Sequence, residues 1–291
     1  MKMTREESKM ANEFLNRGTG LLVLEVINSN PNGDPDSDGA PRVRYDGRGE
    51  ISPVSFKRKL RDLVEDKDGP VWQHISENMH LNSENFMILE SRGRDRKLIT
   101  KEIKEGTFVG RYWDGRIFGN TFLEDAMDKA SIKTGVVQFG MGVSISPVST
   151  EAQTNTNKAG VQEGKNQGMA PMAYKIVTHG LYVMPFFINP NYAHKSGCTK
   201  MDIELMKALI PYAYTHNRSA IRPFVEIRQA WFCEHRNPLG SCSDFDLIDA
   251  LMPKRLGDID KPSDSLKDYE LVTSLPDELK DRVSCVDLMA L

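Results

Sequence analysis

Four cations stand within five residues at Lys57, Arg58, Lys59 and Arg61, shortly after the dipeptide Ser52-Pro53. A serine caps free helix amides and a proline fits the first helical turn, so a helix is expected to start at Ser52-Pro53 and to run through Val64. At helical spacing Phe56, Leu60 and Leu63 form one apolar stripe, while Ser55, Arg58, Lys59 and Asp62 lie opposite with Lys57 and Arg61 flanking. One face is expected to pack and the other to stay basic. Cations near a helix N-terminus, whose amides and dipole favour anions, are chemistry for phosphate. The plain alternative is a solvated charged face. Arg42, Arg44 and Arg48 enrich the same region.

A second group of residues suits a metal. Asp34, Asp36 and Asp38, followed by Gly39, match the opening of a calcium-binding EF-hand loop, but the twelfth position, which must supply a bidentate Glu, is Tyr45. A turn built from Asx side chains is the simpler reading. Closely spaced aspartates also suit Mg²⁺-assisted phosphodiester cleavage, although no second acidic or His-centred motif points at this loop. Cys233, His235 and Cys242 make a poor zinc set with no fourth ligand nearby, and the four cysteines show no CxxC pair, so plain thiols are expected. Arg92, Arg94, Arg96 and Lys97 are interrupted by Asp95 and read as a solvated surface. Nucleotide-hydrolase, esterase and zinc-protease motifs are absent, as is the aromatic signature of sheet-binding RNA domains.

The chain of 291 residues, 39% hydrophobic and 27% charged, is long enough to bury a sizeable core. Its net charge of −3 argues against coating nucleic acid by bulk attraction, so any such binding must rest on local patches. No apolar run approaches the roughly 20 residues that cross a bilayer, and a cytoplasmic location with no membrane partner is expected.

The elements that must position these residues follow from periodicity. After a polar stretch Met1 to Arg17, a strand is expected from Thr19 to Asn28, covered on both faces, in which Glu25 needs a partner. The Asn/Pro/Gly/Asp run after it is loop. Beyond the basic helix come a short helix at Pro70 to Asn78, a strand at Phe86 to Glu90, a helix at Asn120 to Lys133 and a strand at Val136 to Ser146 with a bulge at Gly140 or Gly142. Strands at Tyr174 to Ile188 and Pro223 to Glu234, helices at Lys200 to His216 and Asp244 to Met252, and a polar tail with a last helix near Pro276 to Leu288 complete the reading. Between two strong strands, residues 149–172 are polar, as a functional protruding arm would be. The pattern is α+β on a βαββαβ plan with insertions.

Several strings, taken together, resemble a known family. Ile27-Asn-Ser-Asn-Pro-Asn-Gly-Asp-Pro-Asp, Ala40-Pro-Arg, Ile51-Ser-Pro-Val-Ser-Phe-Lys-Arg-Lys-Leu-Arg-Asp, Asp114-Gly-Arg-Ile-Phe-Gly, Gly135 to Pro147, His216-Asn-Arg-Ser-Ala and Pro238-Leu-Gly resemble the Cas-seven backbone subunits of type I CRISPR Cascade, in the type I-C and I-B branch. The resemblance implies a modified RRM or ferredoxin-like palm (about 19–65, 111–148 and 173–252), a finger-like insertion (about 66–110), a thumb-like β-hairpin (about 149–172) and a C-terminal tail (253–291). It implies a non-catalytic subunit that needs no cofactor and binds CRISPR guide RNA, further copies of itself in a helical filament, other Cascade subunits and, through the guide, target DNA. Such a subunit should hold phosphate and sugar and leave base edges free. The implied contacts are Ser52, Ser55, Lys57, Arg58, Arg61, Arg116 and Arg218, with Met169 as an apolar wedge between bases or an anchor on a neighbour. A ribonuclease using Asp34, Asp36 and Asp38 is the competing reading.

Overall fold

The nearly continuous apolar run after Arg17 becomes strand β1 (Gly18–Ser29), buried at ten of its twelve positions. The computed structural model describes residues 15–91, 95–120, 134–158 and 169–290. Along these follow β2 (Arg48–Ile51), α1 (Pro53–Glu65), α2 (Pro70–Asn78), α3 (Arg96–Glu105), α4 (Trp113–Phe118), β3 (Val137–Phe139), β4 (Gly142–Pro147), β5 (Thr150–Lys158), β6 (Met169–Ile188), α5 (Lys200–Leu209), β7 (Val225–His235), α6 (Asp244–Leu251) and β8 (Val283–Asp287). Helices and an antiparallel sheet make one mixed architecture.

The sheet runs β8-β7-β1-β6-β4-β2, with β3 and β5 also paired to β6. Strands β1, β4, β6 and β7, with α1 between the first two and α5 between the last two, follow the strand-helix-strand-strand-helix-strand order. Side chains alternate across β1 because successive residues of a strand face opposite ways. Leu22, Leu24 and Val26 enter the main core with Phe56 and Leu60 of α1 and Ile203 and Met206 of α5. Leu21 packs on the other face with Trp231, Leu247, Leu251, Leu275 and Val283, and Val23 packs there with Leu181 and Tyr269. Both faces are therefore covered.

The C-terminal residues do the covering on the second face. A short strand pair joins Lys254–Arg255 to Tyr269–Glu270, and β8 completes the sheet by pairing Cys285 with Cys233. The expected last helix is corrected: Asp277–Lys280 is one short helical turn, Val283–Asp287 is a strand because β7 offers it an open edge, and Leu288–Ala290 is a 3₁₀ turn. Glu25 finds its partners on this face. Arg228 donates to it from Nε at 2.6 Å, and His179 lies 3.2 Å away. On its other side His179 meets the Ser263 hydroxyl at 2.7 Å, which also accepts from Tyr269 at 2.9 Å. This buried Glu25-His179-Ser263-Tyr269 chain has the outline of a hydrolase triad, yet the serine is enclosed and already accepts a proton from tyrosine. Its evident work is to clamp the C-terminal segment to the sheet.

Other expectations change in detail. The strand foreseen at 86–90 is irregular, bent chain with a single bridge, Met87 to Tyr112. The strand foreseen at 136–146 divides at Gly140, where a Cβ would stand 2.9 Å from Pro185. Helix α5 gives way at Ile210 to a 3₁₀ turn, since Pro211 cannot supply an amide to the helix. Trp72 and Ile75 of α2 belong to the main core, whereas Leu89, Ile99, Phe108 and Tyr112 make a small cluster of their own. The helix expected at 120–133 and the polar N-terminal stretch lie almost wholly outside the described residues, as do Arg92 and Arg94.

Strand β6 outruns the sheet. Its pairing with β1 ends at Val177 opposite Ser29, while pairing with β5 continues from Thr150 with Val177 to Lys158 with Met169, nine pairs in all. At about 3.3 Å per residue this two-stranded ribbon reaches roughly 27 Å. The polar stretch 149–172 thus holds two paired arms, and its tip, 159–168, is outside the described residues.

Candidate nucleic-acid interface

Helix α1 begins where its residues predict. The Ser52 hydroxyl accepts from the Ser55 amide at 3.2 Å, with Pro53 in the first turn. The Ser52 amide in turn donates to Asn32 Oδ1 at 2.7 Å, which ties the loop after β1 to the start of the helix. Ser52 is therefore engaged as a cap, and Ser55 is half-buried beside it.

The face expected to stay basic is largely neutralised from within the chain. Arg61 is buried, its side chain 5% exposed, with Nε on Asp114 at 2.9 Å and Nη2 on Glu90 at 3.2 Å. Arg58 pairs with Asp62 at 2.6 Å and Glu65 at 3.1 Å and donates to the Glu90 carbonyl. Lys57 is half-buried with its ammonium 5.1 Å from the Phe118 ring. Burial, with help from Arg61 and against Glu90, lowers the pKa of Lys57. Arg116 is no surface group at all. Its five N–H donors are all taken: Nε and Nη2 by Asp202 at 3.0 and 2.7 Å, Nη2 also by the Asn85 carbonyl at 2.9 Å, and Nη1 by the Val109 and Gly110 carbonyls at 3.0 and 2.8 Å. Arg61 and Arg116, expected as RNA contacts, are thus buried and each is paired with a buried carboxylate, Asp114 and Asp202. Arg218 is exposed and pairs with Glu226 at 2.8 Å, and Met169 lies at the far end of the ribbon opposite Lys158.

Two cations behave differently: Lys59 of the same basic run, and Arg222, which residue types alone do not single out. Lys59 is buried, and its ammonium donates to the Asn217 carbonyl at 3.3 Å and sits 5.5 Å from the Tyr214 ring. Asn217 answers by donating its amide to the Lys59 carbonyl at 3.2 Å. Arg222 donates from Nε to the Asn30 carbonyl at 2.8 Å, and the Asn30 amide donates to the Ile221 carbonyl at 2.8 Å. Burial first and the nearby Arg222 second push the Lys59 pKa down to about 8, while Asp62 acts in the opposite sense. Lys59 stood in the basic run of the sequence, whereas the signal for Arg222 was only the His216-Asn-Arg-Ser-Ala string just before it.

The remaining candidates resolve into structural parts. Asp34 caps a 3₁₀ turn by accepting from the Asp36 amide at 3.2 Å and faces Arg42 at 3.5 Å, while Asp38 takes the left-handed conformation that ends the turn. Among the described residues no three His, Cys, Asp or Glu side chains converge as metal ligands. The expected free thiol at Cys233 is corrected: it forms a disulfide with Cys285, its register partner on β8. His235 is held by Thr19 at 3.1 Å and lies 3.3 Å from Asp244.

Comparison with known proteins bears on this arrangement. The family model described as CRISPR-associated protein Cas7 matches residues 16–274. The chain is 25% identical over 227 residues to "CRISPR-associated protein Cas7" of Haloferax volcanii, covering 67% of this chain and 63% of that relative's length. It is similar in structure to a chain of "CRISPR RNA-guided surveillance complex, pre-nicking", with TM-score 0.48 and 13% identity over 75% of this chain and 78% of the other. A second such chain, from "CRISPR RNA-guided surveillance complex", gives TM-score 0.40 and 14% identity over 74% and 69%.

Proposed function

The chain belongs to the CRISPR-associated protein Cas7 family, and from that premise we propose that it binds a CRISPR guide RNA by its sugar-phosphate backbone, as a repeating, non-catalytic subunit of a type I Cascade surveillance complex. The family match over residues 16–274 is the observation that carries this reading. The fold supports it by elimination of sites. Among the described residues both faces of the sheet are packed over by core side chains, and in this reading the strand runs along the loop-and-helix edge around α1 and against the ribbon. Backbone contacts there leave the base edges free for pairing with target DNA, as a subunit that accepts any guide requires.

In this reading β1, β4, β6 and β7 with α1 and α5 are an RRM-like palm, residues 66–110 a finger and the β5-β6 ribbon a thumb. Ser55, Lys57, Arg58 and Arg218 are proposed contacts near the strand, and Met169 a wedge or anchor toward the ribbon's end. Ser52 orders the helix. Further copies of the chain and other Cascade subunits are the partners. Because each subunit neutralises few phosphates, strong binding comes from many subunits on one strand. The geometry of Asp34, Asp36 and Asp38 does not favour the ribonuclease reading, since the Asp34 side chain caps a turn to which Asp36 and Asp38 contribute their backbone.

The test is to purify the full chain with and without a coexpressed guide, and to compare the absorbance ratio at 260 and 280 nm and the extracted RNA. Copurifying guide-length RNA is expected; protein free of nucleic acid in both preparations would reject the assignment.

A further inference from the structure

We infer that Lys59 and Arg222 together grip one backbone phosphate of the guide strand, with Arg222 presenting its guanidinium fork outward and Lys59 adding a second positive charge behind it. The inference rests on the guide-binding reading and gives it a location.

Arg61, Arg116 and Arg58 all reach carboxylates, whereas neither Lys59 nor Arg222 has a carboxylate oxygen within 4.0 Å among the described residues. Asp62, the acid that acts on Lys59, is already held by Arg58 at 2.6 Å. The protein thus sets two like charges near each other and gives each only a backbone carbonyl, at Asn217 and Asn30. Like charges near each other away from bulk water repel, and the carbonyls that hold them carry no compensating negative charge. A ligand anion removes the conflict.

The geometry around the pair favours that anion. Arg222 uses Nε internally, and its two terminal nitrogens have no protein hydrogen-bond partner among the described residues and are not enclosed. Two parallel N–H groups suit two oxygens of a phosphate. Behind them the Tyr214 hydroxyl, in a residue 2% exposed, has no partner either. The charge of Arg222 acts on that hydroxyl as well as on Lys59. Three segments meet here: the loop after β1 at Asn30, α1 at Lys59, and the stretch 217–222 after α5. Lys59 and Asn217 lock the last two together by reciprocal hydrogen bonds. A strand crossing this point passes the N-terminal half of α1, on the edge that the closed sheet leaves available.

The experiment measures binding of a fluorescent guide-length single-stranded RNA to the full chain between 50 and 200 mM salt, roughly the range in which counterion release is steep. Arg222→Gln and Lys59→Gln are each expected to weaken binding about tenfold and to reduce the magnitude of the salt slope by about 0.7, the value for one lost phosphate contact on a single strand. Because both cations serve one phosphate, the double variant should lose no more slope than a single variant, about 0.7 in all. Arg222→Lys keeps the charge but not the fork and should fall between. Partial unfolding reduces the active fraction without changing the slope, so the slope separates a lost contact from a damaged fold. Wild-type protein that fails to bind would overturn the guide-binding reading itself; wild-type binding with an unchanged slope in Arg222→Gln would overturn the phosphate site alone.

Discussion

Asp202 holds Arg116 with both carboxylate oxygens, Oδ1 to Nη2 at 2.7 Å and Oδ2 to Nε at 3.0 Å, and it does so from the first turn of α5 while also accepting from the Thr199 amide at 2.8 Å. A buried fork of this kind joins α4 to α5 across 86 positions of sequence. Breaking a buried pair by removing one partner typically costs about 3–5 kcal/mol, because the other charge is left unpaired. Asp202→Asn is therefore expected to lower stability by about that much in urea unfolding. Arg116→Lys should not restore it, since an ammonium cannot fill five fixed donor positions.

Lys59 predicts a pH signature. Its pKa falls from 10.5 in the unfolded chain to about 8 in the fold, so between these values the unfolded state binds more protons. Stability must then rise as pH increases from about 8 toward 10.5. The groups facing it are Arg222, Asp62 and Tyr214. Lys67, lowered to about 8 by burial, adds a rise of the same sign, so Lys59→Met should remove part of the rise and Lys67→Met another part. Guide affinity should move oppositely and fall over the same window, because only the ammonium form attracts phosphate. Urea melts and RNA titrations at pH 7, 8, 9 and 10, roughly spanning that window, check both signs.

The Cys233–Cys285 disulfide closes a separation of 52 residues and fastens β8 to β7. A crosslink of this span stabilises by about 2–4 kcal/mol through the unfolded state. Cys285→Ser should lower the melting temperature of the oxidised protein and leave reduced protein almost unchanged. Faster amide exchange is expected at Val283–Asp287, the strand it pins.

Ser52→Ala should cost about 1 kcal/mol by uncapping α1, and Ser52→Asp should recover most of it, since a carboxylate also accepts from the Ser55 amide. Thermal melts decide between this and a direct RNA role for the hydroxyl, under which Ser52→Asp would bind RNA as poorly as the alanine variant or worse.

How far the candidate site was legible depends on the distance over which its parts interact. Ser52-Pro53 announced the helix because a cap is made within four residues, and Phe56 and Leu60 announced its buried face because one helical period suffices. Helix α2 was legible to its ends for the same reason. The fate of the cations was not. Arg61 meets Asp114 53 positions away, and Arg116 meets Asp202 86 positions away, so no local pattern distinguishes a charge that will be neutralised from one left open. The segment Val283–Asp287, expected as part of a last helix, is a strand because β7 stands beside it.

Residue order alone determined the family, the caps and turns, the central apolar strand and the polar arm, because these follow from covalent neighbours and short periods. Only the tertiary structure decided which positive charges face a carboxylate and which face none, and which segments cover the two sides of the sheet. Electrostatic partners and packing surfaces are chosen in space, among groups that the chain brings together only once it has folded.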